Sequence, residues 1–284
     1  MKENIRFRHT FQNTDLITIL LFLPNMHFWT VSFGKGSFIF LGLALAAYGM
    51  SDVIKRKLAL LTGLLLVYHV RPHVFLFMVI GIVFGFVTGR QKIPAYQKMI
   101  VFIGCAIAGI VLYNKILAFA NLDSENVVDS FQQFSTTRSY ELSKSAGSGL
   151  DTSNYPLWLK LITFWFRPLF FDAPGILGLI VSVENLFYVI IASSLLKKNF
   201  FKFLRKSSAV VKSSLVIFIV SSIALSSTMS NLGIIIRQKS MVMYFFFFVI
   251  LSFMDYEKMQ VYIKKKRKAE RKKRLEQQTL GQTV

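Results

Sequence analysis

Long apolar runs alternate with short polar links along almost the whole chain. Runs of this length and composition are typical of helices that cross a lipid bilayer. The pattern predicts an all-α, polytopic integral membrane protein in which residues 1–256 form one transmembrane domain. Eight spans are expected, at Leu16–Phe33, Ser37–Met50, Leu58–Val70, Val74–Gly89, Met99–Ala120, Pro174–Leu196, Val210–Met229 and Ser240–Met254.

Two stretches interrupt the apolar pattern. Pro24 and Asn25 fall inside the first run and predict a broken helix, which is tolerated where protein or a cavity satisfies the freed backbone groups. The stretch 157–196 begins with aromatic residues, turns at an Arg-Pro pair, and then continues as an apolar run. It is expected to form a re-entrant or interfacial segment that leads into the sixth span.

The stretch 157–196 also holds three ionisable residues, Arg167, Asp172 and Glu184. A charge near the middle of a bilayer costs about 2.5–3.5 kcal/mol on insertion scales, so such residues are candidates for function when they face protein or water. For Glu184 two interpretations stay open: it pairs with a buried arginine for structural reasons, or it acts on a substrate.

The charge distribution predicts the topology. The chain has 34 lysines and arginines against 14 acidic residues, and ten of the cations lie in the tail, residues 257–284. With both termini in the cytoplasm, 25 cations fall on the cytoplasmic side and 9 outside, as the positive-inside rule requires. The polar segment 121–157 is then external. Because the positive charge follows the topology, nucleic acid is not expected as a partner.

Several cations fall on the external side, where topology alone does not require them. They lie at the ends of different predicted spans and could converge on an anion, since arginine grips phosphate oxygens with two parallel hydrogen bonds. A lipid-linked phosphate or diphosphate fits this arrangement. A structural role is the alternative for each, such as contact with lipid headgroups. The cations are Lys35, Arg71, Arg167, Arg237 and Lys239.

The usual soluble-enzyme signatures are absent from the sequence. It contains no P-loop, no Gly-x-Ser-x-Gly and no His-Glu-x-x-His motif. Its single cysteine, Cys105, excludes an intrachain disulfide. The histidines lack metal-ligand spacing, so neither a metal nor another cofactor is expected.

Short blocks of sequence resemble the Wzy-type polymerases of bacteria, which polymerise the repeat units of O-antigen and capsule. The blocks occur in the same order and extend from about residue 16 to 254. They are PNMHFWT at 24–30 with FGKG at 33–36, VRPH at 70–73, FRP at 166–168 with ENL at 184–186, and NLG at 231–233 with RQK at 237–239. Such polymerases commonly have ten or more spans, so this chain is expected to lack an amino-terminal bundle.

The resemblance implies a GT-C-like, metal-independent glycosyltransferase in the bacterial cytoplasmic membrane, with its active face outside. It would move a glycan from one undecaprenyl diphosphate carrier to a second lipid-linked repeat unit. The implied partners are the polyprenyl-diphosphate-linked donor and acceptor, membrane lipids and a chain-length regulator. The outer cations would stabilise the leaving diphosphate, and the candidate general bases are Glu184, Asp172 and His73.

Two other functions compete with polymerisation. An O-antigen ligase would use the same donor, but the polar segment 121–157 contains no histidine and is mildly acidic, unlike the large basic loop typical of ligases. A flippase or transporter of lipid-linked oligosaccharides should show polar groups through several spans and internal repeats, which are not evident. A non-enzymatic membrane scaffold is the remaining alternative.

Overall fold

A computed structural model describes most of the chain. The described residues are 4–31, 34–90, 126–144, 149–150, 152, 155–173 and 175–281, together with positions 94, 96, 98–100, 102–103, 107 and 110. Most of the predicted fifth span and much of the predicted external segment lie outside them.

The described residues are mainly helical. A short antiparallel hairpin pairs Thr10–Phe11 with Thr14–Asp15, and a 3₁₀ helix covers Ser193–Leu196. The α-helices are α1 Leu16–Leu21, α2 Pro24–Val31, α3 Lys35–Met50, α4 Lys57–Val70, α5 Pro72–Thr88, α6 Val127–Lys144, α7 Leu157–Phe166, α8 Gly175–Ala192, α9 Phe200–Lys206, α10 Ala209–Thr228 and α11 Leu232–Gly281.

Three helical segments are long and apolar enough to cross a membrane: Gly175–Leu196, Ala209–Thr228 and Leu232–Lys272. A fourth candidate is the pair α2 and α3, which meet at a bend of 116°. Helices α4 and α5 occupy two more of the predicted spans but have only 14 and 17 residues. The described chain is therefore that of a helical membrane protein with three or four evident spans, and the predicted eight are not shown.

The first apolar run is divided into two helices, as Pro24 predicts. α1 ends at Leu21, and α2 begins at Pro24. Proline is favoured in the first turn of a helix, because its missing N–H would have no partner there. The division places Asn25 at the start of a helix inside the protein, where it is 5% exposed.

Glycines allow two helix pairs to approach closely. On α5, Gly81 and Gly85 face α10, and a Cβ added at Gly85 would collide with Ser213 and with the carbonyl oxygen of Ala209. On α4, a Cβ added at Gly63 would lie 2.6 Å from the carbonyl oxygen of Gly42 on α3. Small residues spaced by four are a common means of packing helices in membranes, where lipid is as apolar as the side chains.

The last helix corrects the predicted link between the seventh and eighth spans. Residues 231–239 were expected to separate two spans, but α11 begins at Leu232 and includes Arg237, Gln238 and Lys239. Asn231 caps it, since its Oδ1 accepts hydrogen bonds from the N–H groups of Gly233 at 2.9 Å and Ile234 at 3.3 Å. The helix then continues without a break through the basic tail to Gly281.

The middle of α11 lies at the centre of the protein. Its residues from Val242 to Leu251 are nearly all buried, and the aromatic ring of Phe246 stacks on Phe218 of α10 at 4.3 Å between centroids. A helix that is apolar on all sides is usually buried on all sides. Helices α2, α3, α7, α8, α9 and α10 contact α11, whose first two turns carry Arg237 and Lys239.

The amino-terminal segment is held against the far part of α11. Oδ1 of Asp255 accepts hydrogen bonds from the backbone N–H groups of Arg6 at 3.0 Å and Phe7 at 2.8 Å. Nζ of Lys258 donates to the carbonyl oxygen of Arg8 at 2.7 Å. Residues 6–8 are thus fixed at the opposite end of the buried part of α11 from Arg237.

Candidate functional site

Glu184 lies on α8 in the protein interior, 5% exposed. Its Oε2 accepts a hydrogen bond from the backbone N–H of Asn25 at 2.9 Å, and its Oε1 accepts one from the hydroxyl of Tyr188. Both carboxylate oxygens are therefore engaged. Pairing with a buried arginine, one of the two interpretations left open for Glu184, is not seen among the described residues, where its partners are a backbone N–H and a tyrosine hydroxyl.

Asn25 joins three parts of the structure at this position. Its backbone bonds to Glu184 of α8, and its side-chain Nδ2 donates to the carbonyl oxygen of Ile236 on α11 at 3.2 Å. Its Oδ1 accepts a hydrogen bond from Nε1 of Trp29 at 3.0 Å. Asn25 thus fixes the start of α2 and orients the Trp29 ring.

Two arginines line a narrow cleft of about 20 Å³ beside Trp29. We call it the arginine cleft; its polar and small lining residues are Trp29, Thr30, Gly36, Arg71, Arg237 and Ser240. The guanidinium carbon of Arg237 lies 5.5 Å from the centroid of the Trp29 ring, which is within cation–π range. Arg71 is half-buried and donates from Nη1 to Oε1 of Gln238. The residues of the cleft come from α2, α3, α11 and the junction of α4 with α5.

Among the residues that the structure describes, neither Arg71 nor Arg237 has a carboxylate within 4.0 Å. Like charges brought together repel, and a half-buried guanidinium also loses part of its hydration. An anion at the mouth of the arginine cleft, beside the exposed Arg237, would offset both costs, although the cleft itself has room for about one water. The cleft thus has the charge and the planar donors that suit phosphate oxygens.

Arg167 and Asp172 form an ion pair of their own. Nε of Arg167 donates to Oδ2 of Asp172 at 2.5 Å, and Oδ1 of Asp172 accepts from the backbone N–H of Leu169 at 2.5 Å. The pair closes the turn between α7 and α8, which contains a cis peptide bond before Pro168. Both oxygens of Asp172 and one donor of Arg167 are therefore used within this turn.

Lys239 is enclosed behind that turn, 0% exposed. Its Nζ donates to the carbonyl oxygen of Arg167 at 3.1 Å and to Oδ1 of Asn185. Asn185 is also fully buried, and its Nδ2 donates to the carbonyl oxygen of Pro168 at 2.7 Å. Lys239 and Asn185 together hold the Arg167–Pro168 backbone between α8 and α11.

The aromatic end of α7 fixes the approach to the turn. Nε1 of Trp165 donates to Oγ of Ser222 at 2.8 Å, and the Trp165 ring stacks on Phe218 at 5.3 Å between centroids. Both partners lie on α10. The predicted re-entrant or interfacial segment therefore begins with a ten-residue helix that is attached to α10 and ends directly before Arg167.

His73 and Lys35 are both exposed at helix starts. His73 follows Pro72 at the beginning of α5, two residues from Arg71, and its ring contacts Phe77 edge-to-face. Lys35 is the first residue of α3, next to Gly36 of the arginine cleft. A Cβ at Gly36 would collide with the carbonyl oxygen of Trp29, so this glycine lets α3 start against α2.

The structure thus divides the predicted site residues into three groups. Arg71 and Arg237 share the arginine cleft, and His73 and Lys35 are near two of its lining residues in the sequence but do not line it. Arg167, Asp172 and Lys239 contact one another through the turn before α8. Glu184 is connected to the cleft through Asn25 and Trp29. In the described part of the chain no three metal-ligating side chains come together.

Sequence reasoning missed three residues that organise the site: Asn25, Asn185 and Tyr188. Asn25 and Asn185 are uncharged polar residues inside apolar runs, so the rule that selected the charged residues could have selected them too. Tyr188 follows Glu184 by four residues, the spacing at which helical side chains meet. Each satisfies a group that the sequence had marked as a substrate contact.

No protein-family model, curated protein or solved structure matches the chain.

Proposed function

We propose that this protein binds a phosphate- or diphosphate-headed carrier lipid at the mouth of the arginine cleft and polymerises the oligosaccharide repeat units that the lipid carries. The observation that supports this is the pair Arg71 and Arg237, which line one cleft without a described carboxylate partner. A lipid diphosphate supplies the missing negative charge. The cleft lies at the end of the apolar helices, where a lipid headgroup would be found.

The proposed reaction is a glycosyl transfer. A hydroxyl oxygen on the non-reducing end of the acceptor attacks the anomeric carbon of the donor glycan. The bond from that carbon to the carrier diphosphate breaks, and the diphosphate leaves with the electron pair. Arg71 and Arg237 stabilise the charge that develops on its oxygens, and donors fixed in advance are effective because they need no reorganisation.

The hydroxyl proton requires an acceptor, for which His73 fits best of the three candidate bases. Glu184 and Asp172 already accept hydrogen bonds on both oxygens. His73 is exposed at the start of α5, two residues from Arg71 of the arginine cleft. A general base must reach the proton that it removes, so exposure decides the choice.

Arg167 and Lys239 have a different role in this proposal. Since Arg167 is paired with Asp172 and Lys239 is enclosed, they position the turn between α7 and α8 instead of gripping the diphosphate. This assigns the diphosphate to Arg71 and Arg237, with Lys35 close by as a third cation.

The test is the surface glycan profile of a bacterial strain that lacks the gene. The strain is complemented with the wild type, Arg71→Ala, Arg237→Ala or the control Arg138→Ala. Arg138 is an exposed arginine whose described ionic partner is Glu141, on the same helix at 3.6 Å. Deletion should leave single repeat units. The wild type and Arg138→Ala should restore the ladder, and each cleft variant should lose about 100-fold or more of the polymer at normal abundance.

Full ladders from both cleft variants would refute the proposal. Long glycan that stays on its carrier after deletion would identify a ligase instead. Lipid-linked units that accumulate on the cytoplasmic side would identify a flippase.

A further inference from the structure

A large apolar cavity opens between α1, α3, α10 and α11. We call it the apolar groove. Its volume is about 450 Å³, within the range of small-molecule sites. Aromatic rings form much of its wall: Phe40, Tyr48, Tyr244, Phe245 and Phe248.

The apolar groove is adjacent to the arginine cleft. Phe40, Leu43 and Met241 line both. From Phe40 the groove follows α3 to Met50, ten residues further on, which is about 15 Å along a helix axis. That is about half the thickness of a bilayer's hydrocarbon core. A molecule with its charged end at Arg71 and Arg237 could therefore extend an apolar chain into the groove.

Small residues of α3 give the groove access from the side. Ala44 and Ala47 line it and are exposed, so a chain can enter laterally from the surrounding lipid. The far end is bordered by Asn4 and Ser51. Asn4 belongs to the amino-terminal segment that Asp255 holds through the backbone of Arg6 and Phe7.

We infer that the apolar groove holds the single polyprenyl chain of a carrier lipid whose phosphate group lies between Arg71 and Arg237. This inference rests on the proposed function and adds a second subsite to it. Charge complementarity supports the occupant, because a cation-lined cleft joined to an apolar groove matches a phosphate joined to a hydrocarbon. A polyprenyl phosphate has a single hydrocarbon chain, which matches the single apolar groove, whereas a diacyl phospholipid has two acyl chains.

The experiment measures lipid binding to the full chain, purified in detergent, by native mass spectrometry. Geranylgeranyl phosphate and dimethylallyl phosphate have the same head but differ by three isoprene units, and a phosphatidic acid offers a phosphate monoester with two acyl chains. The wild type should bind geranylgeranyl phosphate at least about tenfold more tightly than dimethylallyl phosphate, because buried hydrocarbon adds affinity. It should also prefer geranylgeranyl phosphate to phosphatidic acid.

Ala44→Trp fills the apolar groove from its exposed side and should abolish the preference for the long chain. Ala47→Trp, one turn further along, is a second blocking variant in case the first fails to fold. Leu41→Trp is the matched control, since Leu41 is 48% exposed on the same helix and does not line the groove. It should keep the preference. Arg237→Ala should weaken the binding of both prenyl phosphates by the same factor.

Unchanged chain preference in both folded blocking variants would overturn the groove assignment while leaving the arginine cleft intact. Equal binding of phosphatidic acid would overturn the choice of a polyprenyl chain. If the blocking variants act as expected but Arg237→Ala has no effect, the headgroup assignment fails, and the proposed function fails with it.

Discussion

The backbone N–H of Asn25 donates a hydrogen bond to Oε2 of Glu184 across 2.9 Å, although the two residues are 159 positions apart in the sequence. The bond joins the start of α2 to the middle of α8. Since the Asn25 side chain also bonds to α11 and to Trp29, the position of the cleft tryptophan depends on a carboxylate in another helix.

Glu184 should therefore matter for stability more than for catalysis. Glu184→Ala leaves the Asn25 N–H and the Tyr188 hydroxyl without their acceptor, at a cost of about 1–3 kcal/mol. Glu184→Gln keeps an acceptor oxygen and should be milder. We expect Glu184→Ala to lower the unfolding temperature in detergent clearly, and Glu184→Gln to do so less while still restoring the glycan ladder. A Gln variant of normal abundance with no polymer would instead make Glu184 the base.

Variants of Arg237 and Lys239 should affect different properties, although the two residues are only two positions apart. The Arg237 variant should lose polymerisation, and the Lys239 variant should lose stability. Lys239→Met keeps a long side chain but removes the donor that satisfies Asn185 and the Arg167 carbonyl. It should lower stability by about 1–3 kcal/mol. Arg237→Met removes an exposed cation and should leave the unfolding temperature nearly unchanged. Thermal unfolding and glycan profiles of both variants test this, and the reverse ranking in either measurement would contradict the assignment.

The sequence indicated which residues would be unusual but not how they would pair. Charges within an apolar run selected Arg167, Asp172 and Glu184, and the count of external cations selected Lys239. All four have specific partners in the structure. The partners could not be predicted, because Lys239 meets the Arg167 carbonyl and Glu184 meets the Asn25 N–H only after distant helices pack. Every residue except proline carries both a backbone N–H and a carbonyl oxygen, so the sequence does not show which of these groups will bind a side chain.

The boundaries of the helices were harder to predict than the apolar runs that form them. Arg237, Gln238 and Lys239 made the start of α11 look like a polar link, although a buried lysine is acceptable in a helix when two oxygens bind its ammonium. The close packing of α5 on α10 was also not anticipated. Gly81 and Gly85 have the spacing for it, but the spacing does not say which helix they face.

That packing gives a test of the fold. Gly85→Leu places a side chain where Ser213 and the Ala209 carbonyl already lie, so α5 and α10 must separate. We expect a marked loss of folded, monodisperse protein on size-exclusion chromatography. Phe84→Leu is the control, because Phe84 is 49% exposed on the same helix. Equal yields from the two variants would show that α5 and α10 do not pack as described.

The docking of the amino-terminal segment should depend on pH through His9. This side chain is 2% exposed, and neither ring nitrogen has a hydrogen-bond partner among the described residues, although Nε2 lies 3.8 Å from Oδ1 of Asp255. Burial lowers the pKa of His9, Lys258 lowers it further, and Asp255 and Asp15 oppose the shift. A lowered pKa in the docked state means that the released segment binds the proton more readily. Docking should then be strongest above about pH 6.5 and weaken as the pH falls below it.

Hydrogen–deuterium exchange of residues 4–15, corrected for intrinsic rates, measures this docking at about pH 7.5 and pH 5.5. The wild type should lose protection at the lower pH, while His9→Gln should show little further change between the two. Because Asp255 also accepts from the Arg6 and Phe7 backbone, protonation of Asp255 could mimic the effect. An equal loss of protection in His9→Gln would assign the pH dependence to that carboxylate and contradict the role given to His9.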